Sequence, residues 1–383
     1  MNKDQLVNTS IMIPGLYIHI PFCLSKCHYC NFYSETSLKD LSSYTQALVG
    51  EMALYKQHFK KFDTVYFGGG TPSILKAEEV ADILRSIKHY FSLSDDSEIT
   101  IEANPGDLHP EFLKSLRDEG VNRLNIGVQS FDDDILDFLG RRHSSRDAVH
   151  AIETTYNEGF TNTGLDLIYG IPGQNMKEWM ETLAMAVSFK PEHISCYQLT
   201  IEANTQIGKR LGRGEITLPD EDLQYDFFMK TSESLEDEGY IHYEISNFAR
   251  ETKFISRHNS KYWNHTPYLG LGPSAHSFSG NTRWWNHAST DRYLDNIKKG
   301  KSPLEDTENL DIKSLRMEAF FLGLRTAKGI NLQDFNNRFN YDLVAEKGDV
   351  LAKLEGSGLI EIADGHIVPT RSGFALADSL ALI

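Results

Sequence analysis

Short β-branched or aromatic runs recur through the first 240 residues, each followed by a longer stretch whose apolar positions fall three or four apart. The runs at 16–20, 64–67, 98–102, 123–129, 164–169 and 193–199 read as strands. Between the first two, Leu41, Tyr44, Leu48, Met52, Tyr55 and Phe59 mark one face of a helix, and Val80, Ile83, Leu84, Ile87 and Phe91 repeat that face after the second. Ser144 with Asp147 has the spacing of a capping box and predicts a helix running to about residue 158. Ser188-Phe189-Lys190-Pro191 ends the next helix, because proline cannot continue it.

Six strand–helix units in series predict an α/β fold whose parallel sheet curls into an incomplete (β/α)6 barrel; a doubly wound open sheet is the competing arrangement. The placement of polar residues favours the barrel. Cys23, Gly68 to Gly70, Glu102, Gln129 and Asp166 all fall at or just past the C-terminal ends of successive strands, where a barrel gathers side chains from different units into one site.

From about Asp311 the pattern changes. Leu315, Ala319, Leu322 and Leu324 mark a helix, Leu332 and Phe335 a second, and 349–355 a third; runs at 359–362 and 366–369 then flank Asp364-Gly365, a strong hairpin signal. The pattern resembles a small winged-helix-like α+β module. The predicted organisation is a partial barrel over 1–250, a connecting segment over 251–300, and the C-terminal domain over 301–383. That last stretch carries nine Lys and Arg against thirteen Asp and Glu, so it reads as a packing or lid domain and not a DNA reader.

Over the whole chain the formal charge is −16, which argues against a nucleic-acid surface. No run approaches the roughly 18 apolar residues of a membrane span. The opening MNKDQLVNTS lacks the basic and apolar regions of a secretory signal, so a cytoplasmic protein is expected. Of four cysteines, Cys23, Cys27 and Cys30 crowd into eight residues, which in that compartment reads as a metal site and not a disulfide framework.

Three thiolates on one loop can hold three corners of a cubane iron cluster and leave the fourth iron open. The alternative is a structural Cys3His zinc site using His28 or His19. Further units add Gly68-Gly69-Gly70-Thr71-Pro72, whose bare backbone can approach a ligand closely, and Glu102, suited to a ribose diol. Gln129, Arg141 and Asp166 contribute neutral, cationic and anionic groups; singly each is ordinary, but in order they form a nucleoside-binding face.

A CxxxCxxC loop after a strand, a Gly-Gly-Gly-Thr-Pro turn and a glutamate ending the third strand resemble the radical SAM superfamily. Tyr17-Ile-His-Ile-Pro-Phe-Cys23 is similar in particular to the anaerobic coproporphyrinogen III oxidases and the HemW-type heme chaperones, and the resemblance covers nearly the whole chain. It implies that Cys23, Cys27 and Cys30 bind a [4Fe-4S] cluster. It also implies that Tyr17, Gly69, Gly70, Thr71, Glu102, Gln129, Arg141 and Asp166 surround S-adenosylmethionine (SAM), with Tyr29 and Thr200 touching it through ring or backbone.

Two departures argue against the oxidases, which resemble CxxxCxxCxC and carry a longer N-terminal extension. Here Asn31 and Phe32 follow Cys30, and sixteen residues precede Tyr17. A third clue is His258-Asn259-Ser260-Lys261-Tyr262-Trp263, the HNxxYW pattern that the chaperone group associates with heme. Histidine is a common axial ligand, flanking aromatics offer flat apolar surface, and Arg257 or Lys261 could pair with propionates. His258, Asn259, Tyr262 and Trp263 are therefore the expected heme site, with His265, His276 and His287 as other candidate ligands and Trp284-Trp285 either lining the pocket or core. The expected function is a chaperone that passes heme to an acceptor hemoprotein; the alternative is an oxygen-independent coproporphyrinogen III oxidase, a decarboxylase of porphyrin biosynthesis. Oligomeric state stays open, a homodimer included.

Overall fold

A computed structural model describes residues 12–380, so the opening residues read above for a leader lie outside the described residues. Six strands alternate with helices: β1 (Gly15–Ile20), α1 (Leu41–Tyr55), β2 (Lys61–Gly69), α2 (Ala77–Tyr90), β3 (Ser92–Ala103), α3 (Pro110–Asp118), β4 (Arg123–Gln129), α4 (Asp133–Phe138), α5 (Ser145–Asn157), β5 (Thr163–Tyr169), α6 (Met176–Ser188) and β6 (His193–Gln198). The strands neighbour one another in chain order and all pair in parallel. Right-handed crossovers without a reversal of order put every helix on one face. The other face must then pack against itself, which curls the sheet into the expected partial barrel.

The barrel does not close, because its two edge strands find other partners. Beyond β6, α7 (Gln206–Gly212) and α8 (Glu221–Asp237) lead to β7 (Ile241–Glu244) and β8 (Asn247–Ala249), and β8 pairs antiparallel with β6. After α9 (Arg257–Trp263), β9 (Tyr268–Leu271) runs parallel to β1. The sheet continues through β10 (His276–Ser279) and β11 (Thr282–Asn286) and, past α10 (Thr290–Lys298), ends on β12 (Leu304–Asn309), giving twelve strands. The segment read as a connector is thus sheet, and β12, past residue 301, belongs to the same sheet. Trp284 and Trp285 face opposite ways on β11. Trp284 stacks on Tyr55 at 6.4 Å and donates to its hydroxyl at 3.2 Å, whereas Trp285 stacks on His276.

Two features differ from the pattern-based expectation. β2 and β3 begin earlier than expected: Lys61 and Phe62 pair with Ser92 and Leu93 before a register shift, and the polar run from Ser92 to Asp96 hides the strand. The sequence pattern also did not single out α4, which opens on Asp132-Asp133-Asp134 with the Asp132 side chain accepting from the Asp134 and Ile135 amides. The capping box at Ser144 and Asp147 forms as its spacing predicts.

The C-terminal region is a small α+β unit: α11 (Ile312–Gly323), β13 (Ile330–Asn331), α12 (Leu332–Phe339), α13 (Leu343–Gly356), β14 (Ile360–Ala363), β15 (His366–Pro369) and α14 (Arg371–Ala375). Asp364 and Gly365 both take positive φ, 49° and 75°, as a two-residue hairpin requires. Leu324, Phe335, Leu351, Ile360 and Ile367 belong to a core separate from that of the barrel. Among the described residues no helix is long and apolar enough to cross a membrane.

One buried acid ties the added layer to the barrel. Glu51 of α1 is fully buried and accepts from the Gly272 amide at 2.8 Å, Asn286 Nδ2 at 2.6 Å and the Tyr293 hydroxyl at 2.7 Å. Burial nonetheless pushes its carboxyl up to about 7, from 4.5. An acid raised on folding holds its proton better in the native chain, so its stabilising effect is complete below 4.5 and is lost as pH rises through 7. Wild type should therefore lose roughly 3 kcal/mol relative to Glu51→Gln across that window. Urea denaturation of both proteins at several pH values measures this; parallel stability curves would show that Glu51 is ionised throughout.

Candidate functional site

The C-terminal ends of the parallel strands open onto a cavity of about 630 Å3. Its wall includes Cys23, Cys27, Tyr29, Cys30, Gly69, Gly70, Thr71, Glu102, Gln129, Arg141, Asp166 and Thr200, all the residues expected at the cluster and SAM except Tyr17.

The cysteine loop follows β1 directly and is pinned by backbone bonds from elements the sequence pattern did not reveal. The His28 amide donates to Leu139 O just past α4 at 2.9 Å, and the Ile207 amide of α7 donates to His28 O at 3.1 Å. Cys23 is buried, Cys27 and Cys30 are half-buried, and none is in a disulfide. Thr71 Oγ1 donates to Cys23 Sγ at 3.4 Å and Arg141 Nη1 to Cys27 Sγ at 3.3 Å, so both sulfurs are fixed in place by side chains from other units of the barrel. The histidines considered for a zinc site are engaged elsewhere. His28 Nδ1 donates to Phe138 O at 3.0 Å; His19 Nε2 donates to Tyr33 O at 2.9 Å and its Nδ1 accepts from the Tyr17 hydroxyl at 3.1 Å. Among the described residues no three His, Cys, Asp or Glu side chains gather closely enough to share one metal ion. Thiolates spread along one wall suit a cubane, whose separate iron corners each take one sulfur.

The glycine turn is glycine for steric reasons. Gly69 sits at φ 108°, and a Cβ on Gly70 would lie 2.7 Å from Phe22 O and 3.1 Å from Cys23 Sγ. Gln129, at the end of β4, also takes a left-handed φ of 66°, an uncommon conformation for a non-glycine residue. Arg141 crosses the wall, donating to Gly127 O at 2.8 Å while its buried Nε has no hydrogen-bond partner. Facing it are two half-buried carboxyl groups. Burial pushes Glu102 up to about 7 and Asp166 up to about 6, and Asp166 Oδ1 is buried without a partner. A ligand bringing positive charge and hydroxyl donors would relieve both, as the sulfonium, ammonium and ribose of SAM do. Ile168 and Leu199 supply an apolar wall, and along the chain neither stands out from ordinary strand-end aliphatics.

Tyr17 lies one layer below, its ring stacked on Tyr66 at 6.2 Å. The four residues expected at heme fall on α9, where His258 is buried and Asn259, Tyr262 and Trp263 are half-buried. His258 is 1% exposed, with Nδ1 2.8 Å from Thr64 Oγ1 and Nε2 2.9 Å from the Tyr262 hydroxyl, so neither ring nitrogen faces an open surface. The Asn259 amide donates to Ser256 Oγ at 3.3 Å, and Trp263 lies under Arg325 with its Nε1 buried and unpaired. Arg257 and Lys261 are already paired, Arg257 with Asp63 and Asp96 and Lys261 with Asp63. His265 is held by Glu318 at 2.9 Å and Arg338 at 3.1 Å, and His287 lies 3.5 Å from Glu305. His276 is exposed, its ring stacked on that of Trp285 at 5.6 Å.

Comparison with known proteins agrees with this geometry. A family model described as Radical SAM superfamily matches residues 17–186, and a second, HemN C-terminal domain, matches 313–376. The chain is 35% identical to the heme chaperone HemW of Bacillus subtilis, over 95% of this chain and 97% of that one, and 34% identical to its Lactococcus lactis counterpart over 95% of each. The chain belongs to the HemW family of radical SAM proteins. A zebrafish relative, radical S-adenosyl methionine domain-containing protein 1, mitochondrial, is 31% identical over 96% of this chain and 85% of its own. Among solved structures, coproporphyrinogen III oxidase (HemN) of Escherichia coli superposes with a TM-score of 0.84 over 97% of this chain and 89% of that one; at 23% identity this shows a shared fold. Membership of the radical SAM superfamily implies a [4Fe-4S] cluster and SAM for this HemW-family chain.

Three variants test the assignment of the cavity. Replacing Cys23, Cys27 and Cys30 together by alanine should abolish iron and sulfide incorporation, whereas Cys196→Ser, buried in β6, should leave both intact; near-normal iron in the triple variant would move the cluster elsewhere. Glu102→Ala should weaken SAM binding by about one to two orders of magnitude in calorimetry, the worth of a charged hydrogen bond, with cluster content unchanged.

Proposed function

We propose that this chain binds heme and passes it to an acceptor hemoprotein, carrying a [4Fe-4S] cluster on Cys23, Cys27 and Cys30 and an exchangeable SAM against the opposite wall. What carries the reading is identity of 34–35% along 95% of the chain to proteins named heme chaperones. The site supports it at one position. Phe32, two residues after Cys30, lines the cavity rim with 66% of its surface exposed, where the oxidase pattern carries a cysteine. When bound, the cluster supplies an electron to the SAM sulfonium; Arg141 and Thr71 hold the thiolate loop, and Glu102 and Asp166 orient the cationic nucleoside.

Among the candidate axial ligands, His276 presents an imidazole at the surface beside an aromatic plane, and its environment lowers the pKa, chiefly by partial burial, so a lone pair is free near neutral pH. We assign heme ligation to it in place of His258. An anaerobic heme titration should show His276→Ala with a shifted Soret band or weaker affinity, and His258→Ala with the wild-type band position. Coproporphyrinogen supplied with SAM and reductant should not be decarboxylated; robust turnover would replace this reading by the oxidase. An unchanged spectrum in His276→Ala would move the ligand elsewhere.

A further inference from the structure

Helix α9 closes the end of the barrel opposite the cavity. Its first amides, from Arg257 and His258, donate to the Glu98 carboxylate at 3.1 and 3.0 Å, and Lys261 Nζ donates to Ile13 O at 2.8 Å and pairs with Asp63 at 2.7 Å. Those partners stand just before or early in β1, β2 and the paired part of β3. Packing is so close that a Cβ on Gly15 would lie 2.9 Å from Lys261 Cδ and 3.1 Å from His258 Cε1.

From this floor the His258 ring rises into the barrel. Thr64 and Tyr66, two apart on β2, share a face. Thr64 bonds Nδ1, and the Tyr66 ring stacks on the imidazole at 5.0 Å with an interplanar angle of 28°. Tyr17, paired in register with Tyr66, stacks on its ring as well. The Tyr66 hydroxyl then donates to Glu102 Oε1 at 2.7 Å. One buried column therefore runs from the HNxxYW helix to the carboxylate at the cavity wall.

We propose that His258 is a positioning residue for SAM. It fixes the tilt of Tyr66, which in turn fixes Glu102, so that HNxxYW builds the underside of the nucleoside site. The inference rests on the cavity being the SAM site. On cluster-reconstituted protein under anaerobic conditions, SAM affinity is measured by calorimetry and by the SAM-induced change in the electron paramagnetic resonance spectrum of the reduced cluster. Tyr66→Phe, which keeps the stack and removes the hydroxyl, should weaken SAM about five- to thirtyfold, as loss of one hydrogen bond to a carboxylate does. His258→Phe, which keeps an aromatic ring and loses both imidazole bonds, should give a smaller fall of about three- to tenfold. The double variant should be no weaker than Tyr66→Phe alone, because His258 acts through that hydroxyl. A purely structural role would lower the melting temperature without this non-additivity. Should His258→Phe fail to fold, Tyr262→Phe and Thr64→Val each remove one anchor of the ring and should still weaken SAM. Unchanged affinity in the ring or anchor variants, or additive losses, overturns the proposal. If Glu102→Ala also leaves affinity unchanged, the cavity assignment itself fails.

Discussion

Unreversed parallel pairing from β1 to β6 is the constraint from which the site follows. Because each strand lies beside its predecessor in the same direction, six strand ends reach one rim, and residues more than a hundred positions apart face one cavity. A doubly wound order would have split the helices between two faces and placed Cys23 and Asp166 at ends of the sheet unable to curl together. Leaving the barrel open has a second effect. β1 is free to pair with β9, which attaches the β9–β12 layer to the strand that leads into the cysteine loop.

Partial burial makes the two carboxyl groups of the cavity wall costly to charge. Glu102 and Asp166 line the cavity half-buried, and their raised pKa values express that cost. Arg141 is drawn toward Cys27 and Gly127 O and offsets that cost only in part. A ligand carrying both positive charge and hydroxyl donors is better matched to this wall than a neutral one. The same low-polarity setting strengthens the Tyr66 contact to Glu102, since a hydrogen bond to a carboxylate gains most where water does not compete.

Much of this was legible in the sequence because the signals were local or periodic. CxxxCxxC, the glycine turn and a polar residue at each strand end needed only the six-strand pattern to place them around one mouth. The C-terminal hairpin was legible because Asp364-Gly365 specifies its turn. What escaped was non-local. Nothing in the composition of residues 264–309 announces strands that borrow the edge of β1, and Glu51 reads as an ordinary helical glutamate until three donors from that layer converge on it. The surroundings of His258 are the clearest case of non-local structure. Its neighbours suggest a heme face, yet its environment is set by Thr64 and Tyr66, nearly two hundred positions earlier.

The layer that presents His276 and the loop that carries the three cysteines meet on β1. Its upper end feeds the cysteine loop, its Tyr17 ring packs against Tyr66 in the column beneath Glu102, and its free edge holds β9. Past β9, Gly272 sits so close that a Cβ would lie 2.7 Å from His19 O, and four residues later the chain presents His276. A heme bound at that imidazole would thus stand on a layer keyed directly to the strand that carries the cluster, with tightly packed backbone between them. On the other side of that strand end, the His19 ring fills the space a Gly69 side chain would occupy, so one residue backs both the β9 turn and the glycine turn.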